Sequence, residues 1–134
     1  LMSPGPIDRI ASGGELARFL LALKVALSET ETPKTLIFDE VDSGVGGAVA
    51  AAVGARLSRL GDKMQTLVIT HSPQVAGKGH AHLRIAKKQG ETGIFSFTET
   101  LMRDNRVEEI ARMISGDEVT SEARAAAIHL LGYS

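Results

Sequence analysis

The chain has 134 residues, with 15 Lys and Arg against 16 Asp and Glu, a formal charge of −1 and no cysteine. That length suits one domain with a modest core. The charge balance excludes a generally polyanion-binding surface, though not a local basic patch, and the lack of cysteine excludes disulfides and thiolate metal sites, as suits a cytosolic protein.

No apolar run is long enough to span a bilayer, and no secretory signal is visible. The chain opens Leu-Met, with "SPGP" close behind. It reads as a piece of a longer protein or as a cloning scar. Pro4, Gly5 and Pro6 make the first residues a loop. In "GELARFLLALKVALSE" the polar members before Ser28 are Glu15, Arg18 and Lys24. This pattern predicts a helix that is apolar around most of its circumference and sits in a core.

"TLIFDE" has the continuous apolar character of a strand buried on both faces. It ends in two adjacent carboxylates, Asp39 and Glu40. After a glycine-rich turn, Val49, Val53, Leu57 and Leu60 recur at helical spacing, and Gly61 is expected to end that helix. "QTLVIT" predicts a second buried strand, and "SPQVAGKG" a short helix or turn. Strand, helix and strand within about 35 residues make one parallel βαβ unit. Asp39, Glu40, Thr70 and His71 then share the carboxyl edge of the sheet, where open α/β sheets bind ligands.

"HLRIAKK" and "GIFSFTET", joined by "QGETG", predict an antiparallel hairpin, with Lys87 and Lys88 at a solvated strand end. Val107, Ile110, Ala111 and Ile114 mark a helix that stops near Gly116. A last helix runs from near Thr120 to near Gly132. There is no internal repeat and no low-complexity segment.

The chemistry-bearing residues each have two readings. Ser12, with Glu15 three residues on, is a capping box. The same helix N-terminus, with Gly13 and Gly14 admitting close approach, also suits a phosphate. Asp39 and Glu40 suit a cap or turn. They also suit Mg²⁺ held by Asp39, mainly through water, with Glu40 polarising an attacking water. His71 is either structural or a hydrogen-bond partner for a γ-phosphate or that water. His80, His82 and His129 have no comparable setting and no metal-ligand spacing. Nothing around Ser72 resembles a nucleophile elbow. No G-x-x-x-x-G-K-[ST] occurs, and "GKG" at 77–79 lacks both its spacing and its hydroxyl, so the principal phosphate cradle is absent from these residues.

Taken in order, "ASGGE", "TLIFDE", "VDSGVGG" and "VITHSPQVA" resemble the second half of an ABC-type ATPase head. The resemblance implies an α/β, P-loop NTPase-like fold: parallel βαβ core strands, a hairpin and C-terminal helices. Val41 stands where transporter heads usually carry proline, and "DEVD" is similar to the SMC branch. "DEVDSGVGG", "THSPQVA" and "RVEEIARMISG" together resemble the RecN family of bacterial SMC-like DNA-repair ATPases, across essentially the whole chain. Ala11 departs from the leucine usual at the start of the signature motif; both are apolar.

The resemblance implies roles for these residues. Ser12, Gly13, Gly14 and Glu15 match the signature motif, which acts on ATP held by a second head. Asp39 matches the Walker B aspartate that supports Mg²⁺, and Glu40 the catalytic glutamate. Asp42 and Ser43 fall in the D-loop, and His71 is the switch histidine. The implied partners are a second copy of the head, the protein's own N-terminal Walker A lobe beyond a coiled coil, and DNA through the full-length protein, with no membrane. The implied setting is the bacterial cytoplasm, at the nucleoid. Residues 1–134 are then expected to be one C-terminal lobe, inactive alone, of a protein that hydrolyses ATP when complete. The alternatives are a head of another SMC-type or transporter ATPase, or a non-catalytic dimerisation lobe.

Overall fold

The computed structural model describes residues 35–133, together with Ala22 and Ala26, both helical and exposed. Ser12, Gly13, Gly14 and Glu15, and most of the long apolar helix expected after them, lie outside the described residues.

Strand β1 (Thr35–Asp39) pairs in parallel with β2 (Gln65–Ile69), from Thr35 opposite Gln65 to Asp39 opposite Ile69. Helix α1 (Gly47–Gly61) makes the crossover, so the expected βαβ unit is present. One face of the pair packs on that helix. Phe38, Val41, Ala50, Val53, Leu57, Leu60 and Val75 are buried together, with Leu36 and Val68 partly buried beside them. Fully burying a side chain such as Phe38 contributes about 1.5–3 kcal/mol.

Among the described residues the strands are covered on one face, where their apolar runs suggest two. Ile37, Leu67 and Ile69, on the face opposite α1, are 55%, 44% and 50% exposed. Side chains alternate across a strand, and among the described residues only one face is covered. Two details of α1 also differ from expectation. Val49 is exposed. Gly61 is the last helical residue and not the terminator, because Asp62 stays right-handed and donates its N–H to Ser58 O at 3.2 Å.

Short helix α2 (Pro73–Ala76) follows β2 and lies against α1. The contact is close at Gly54: a Cβ there would meet Gln74 O and Val75 Cα at 3.1 Å each. Any side chain at that position would push the two backbones apart.

Strands β3 (Leu83–Gly90) and β4 (Gly93–Thr100) form the expected antiparallel hairpin around a tight turn at Glu91 and Thr92. It packs mainly on itself and carries exposed apolar residues on both faces: Leu83, Ile85 and Ile94 on one, Phe95 and Phe97 on the other. Lys87 and Lys88 are exposed, as expected.

Helices α3 (Arg103–Ser115) and α4 (Ser121–Leu131) pack through Ile110, Ala111, Ala123 and Ala127. Three alanines let the axes approach closely around Ile110, which is fully buried. Ile114, expected on the same stripe, is exposed. The ends of α4 are set locally. Thr120 Oγ1 accepts the Ala123 N–H at 3.1 Å. Gly132 is left-handed (φ 66°), and the N–H groups of Gly132 and Tyr133 donate to His129 O and Ile128 O.

Candidate active site

Asp39 closes β1, and its carboxylate is in no ion pair among the described residues. The next residue extends the ladder by one bond, Glu40 N–H to Ile69 O at 2.9 Å. There the backbone reverses. Glu40 sits at φ 50°, the one left-handed position among the described residues that is not glycine. Glu40 O accepts the Ser43 N–H at 3.0 Å, and Asp42 O accepts the Val45 N–H at 3.3 Å, which closes the turn into α1. An L-residue held in this region carries backbone strain, and such residues cluster at functional sites.

This turn brings Glu40 to the end of β2. Glu40 Oε1 lies 3.9 Å from His71 Nδ1, and both side chains are largely exposed, at 60% and 73%. At 3.9 Å the two are not hydrogen-bonded to each other. An acceptor carboxylate and an imidazole thus stand side by side at the sheet edge, both reachable from solvent.

Behind this pair Asp42 is buried, and Ser43, Thr70 and Ser72 are half-buried. Asp42 is 5% exposed, and its Oδ2 accepts from Thr70 Oγ1 at 2.5 Å. Thr70 Oγ1 in turn accepts the Ser72 N–H at 2.9 Å. Asp42 Oδ1 is buried without a hydrogen-bond partner among the described residues. Ser43 is half-buried. Ser72 Oγ donates to Gln74 Oε1 at 2.9 Å, which steadies the start of α2. The structure therefore gathers Asp39, Glu40, Asp42, Ser43 and His71 at one edge.

The sequence reading missed the Asp42–Thr70 link. Its available signal was two polar residues at the ends of adjacent parallel strands, and spacing along the chain does not show which of them points inward.

A second polar cluster also escaped that reading. Arg106 is buried on α3 and donates to the carbonyls of Ala76 and Gly79. Its signal was its place four residues before Ile110, on the buried stripe. His82 lies nearby with a pKa below its ordinary 6.5, first because it is buried and then because Arg106 is positive; Glu109 opposes this. Glu109 is buried and accepts from Arg112 at 2.6 and 3.0 Å and from Arg84 at 3.5 Å. Those bonds, Arg112's above all, hold its pKa below the ordinary 4.5. Arg84 also donates to Glu99 at 2.7 Å across the hairpin. A cleft of about 240 Å³ opens here, lined by these paired charges and by none of the sheet-edge residues. Among the described residues no group of three or more His, Cys, Asp or Glu could hold a metal on its own.

A solved chain from work on the ATP-driven dimerization and DNA-stimulated activation of SMC ATPases superposes with a TM-score of 0.65, covering 82% of this chain and 66% of that one at 18% identity. The chain has the fold of an SMC ATPase segment, α/β and P-loop NTPase-like.

By sequence, the chain is similar to DNA repair proteins RecN. It is 48% identical to RecN of Rickettsia bellii over 130 residues, 97% of this chain and 24% of that protein. RecN of Xylella fastidiosa is 48% identical over 96% of this chain, and RecN of Deinococcus radiodurans 48% over 89%. The chain spans about a quarter of the length of these relatives or less, 20–24%. No family model matches it.

Proposed function

We propose that residues 1–134 form the C-terminal lobe of the ATPase head of a RecN-like DNA double-strand-break repair protein. The observation that carries this reading is the exposed Glu40, turned by a left-handed backbone to within 3.9 Å of His71 at the end of β2. Two groups so placed suit in-line attack of water on a γ-phosphate, a reaction catalysed mainly by positioning and electrostatics. Glu40 accepts a hydrogen bond from the water and orients it, while His71 contacts the γ-phosphate. Asp39 offers an oxygen donor beside them. One carboxylate suits Mg²⁺, which keeps several waters and takes phosphate oxygens as further ligands. When bound, Mg²⁺ would neutralise charge on the β- and γ-phosphates.

The rest of the reading concerns partners. Ser12, Gly13, Gly14 and Glu15 would cover the ATP of a second head in a homodimer, with Asp42 and Ser43 in the loop between the heads. The apolar face of Ile37, Leu67 and Ile69, open among the described residues, suits cover by the protein's own Walker A lobe. DNA would be engaged by the complete protein in the bacterial cytoplasm. Among the described residues no helix is long and apolar enough to cross a membrane.

The test is Glu40→Gln in the full-length protein. ATP turnover should nearly vanish, while ATP-dependent head dimers persist in sedimentation or crosslinking. Undiminished hydrolysis would sink the assignment.

A further inference from the structure

We propose that Asp42 and Thr70 are positioning residues that set the geometry of the Glu40–His71 pair; this rests on the ATPase reading above. Thr70 has one hydroxyl proton. It goes to Asp42 Oδ2 at 2.5 Å, because a carboxylate oxygen only accepts, and a lone pair of the same hydroxyl accepts the Ser72 N–H at 2.9 Å. The bonds form one chain: Ser72 N–H to Thr70, Thr70 to Asp42. It clamps both neighbours of His71, residues 70 and 72, to the residue two beyond Glu40. Val41, buried between Glu40 and Asp42, fixes the same turn from the core side.

The clamp is expensive as a stability device. Asp42 is a buried carboxylate with one oxygen unpaired and no cation paired with it among the described residues. A buried carboxylate in that state carries a desolvation penalty that an apolar residue of similar size avoids. What the carboxylate adds is direction. It fixes the β1–α1 turn relative to the β2–α2 turn, and so fixes the two backbones from which Glu40 and His71 reach to within 3.9 Å of each other. Neither Asp42 nor Thr70 needs to touch nucleotide for this.

The experiment is steady-state ATP hydrolysis by the full-length protein, comparing Thr70→Val, Thr70→Ser and Glu40→Gln with the unaltered chain. Valine keeps the shape and removes the hydroxyl. In Thr70→Val, kcat should fall about 10- to 100-fold while KM for ATP stays within about threefold, the split expected when a reacting geometry is loosened without loss of binding. Thr70→Ser, which keeps the hydroxyl, should recover kcat to within about threefold of the unaltered protein. If Glu40→Gln is inactive but Thr70→Val keeps its kcat, the positioning role falls and the ATPase reading stands. If Glu40→Gln hydrolyses ATP at the unaltered rate, both fall. If Thr70→Val loses kcat and ATP binding together and serine does not restore them, the clamp is only a folding element and the inference is overturned.

Discussion

Glu40 bonds to Ile69 through its backbone, N–H to O at 2.9 Å, and in the same residue leaves the strand at φ 50°. The residue that completes the sheet is therefore the one that carries the strain. Left-handed backbone costs an L-residue about 1–2 kcal/mol, and glycine escapes that cost while giving back about 0.5–1 kcal/mol in unfolded-state entropy. Glu40→Gly should raise unfolding stability by roughly 0.5–1 kcal/mol and remove ATP turnover in the full-length protein. Urea unfolding of Glu40→Gly beside Glu40→Gln, which keeps the strain, separates the backbone effect from the loss of charge.

Arg106 links α3 to the end of α2 and the turn after it through the carbonyls of Ala76 and Gly79. Both bonds leave one nitrogen, Nη2, and the lysine ammonium sits one bond nearer the backbone. Arg106→Lys should cost about 1.5–3 kcal/mol, the range for hydrogen bonds made by a charged group. A shift of the urea midpoint with an unchanged slope would agree; no shift would show that these two bonds add nothing.

Acid should weaken the fold in two stages. His82 has a folded pKa below its ordinary 6.5, so the unfolded chain takes up protons first and its stabilising contribution is lost as pH falls below 6.5 through the folded value. Glu109 has a folded pKa below 4.5, so its contribution is complete above 4.5 and is lost as pH falls through its own folded value. Unfolding midpoints measured across this range should show both slopes. His82→Gln should flatten the upper one and Glu109→Gln the lower.

The open face of the βαβ unit gives a test of context. Ile37→Ser and Ile69→Ser should reduce self-association of the 134-residue chain with little loss of stability, because both side chains are already half exposed. In the full-length protein the same changes should cost about 1.5–3 kcal/mol each if a further lobe buries them. Sedimentation of the short chain and thermal unfolding of the long one read the two effects.

What was legible in the sequence was local. Thr120 and Gly132 mark the ends of α4 because a hydroxyl and a left-handed glycine act on their immediate neighbours. The hairpin register follows from its tight turn. The nearness of Glu40 and His71 follows from two strands entering one parallel pair. What was not legible depends on packing. "TLIF" reads the same whether one face or both are covered. Gly61 looks like a terminator, yet Asp62 continues the helical backbone and pairs with His80 at 3.1 Å. Asp42 and Arg106 are polar residues turned inward, and each partner is 27–30 residues away.

The missing side chain at Gly54 has a mechanical meaning. Helices α1 and α2 touch backbone to backbone there, and each begins just after one of the two loops that carry Glu40 and His71. With so little room between them, a swing of either loop is expected to press on the other helix. The edge behaves as one solid jaw. On the ATPase reading proposed above, a working cycle would then act by what is pressed against that jaw and withdrawn again.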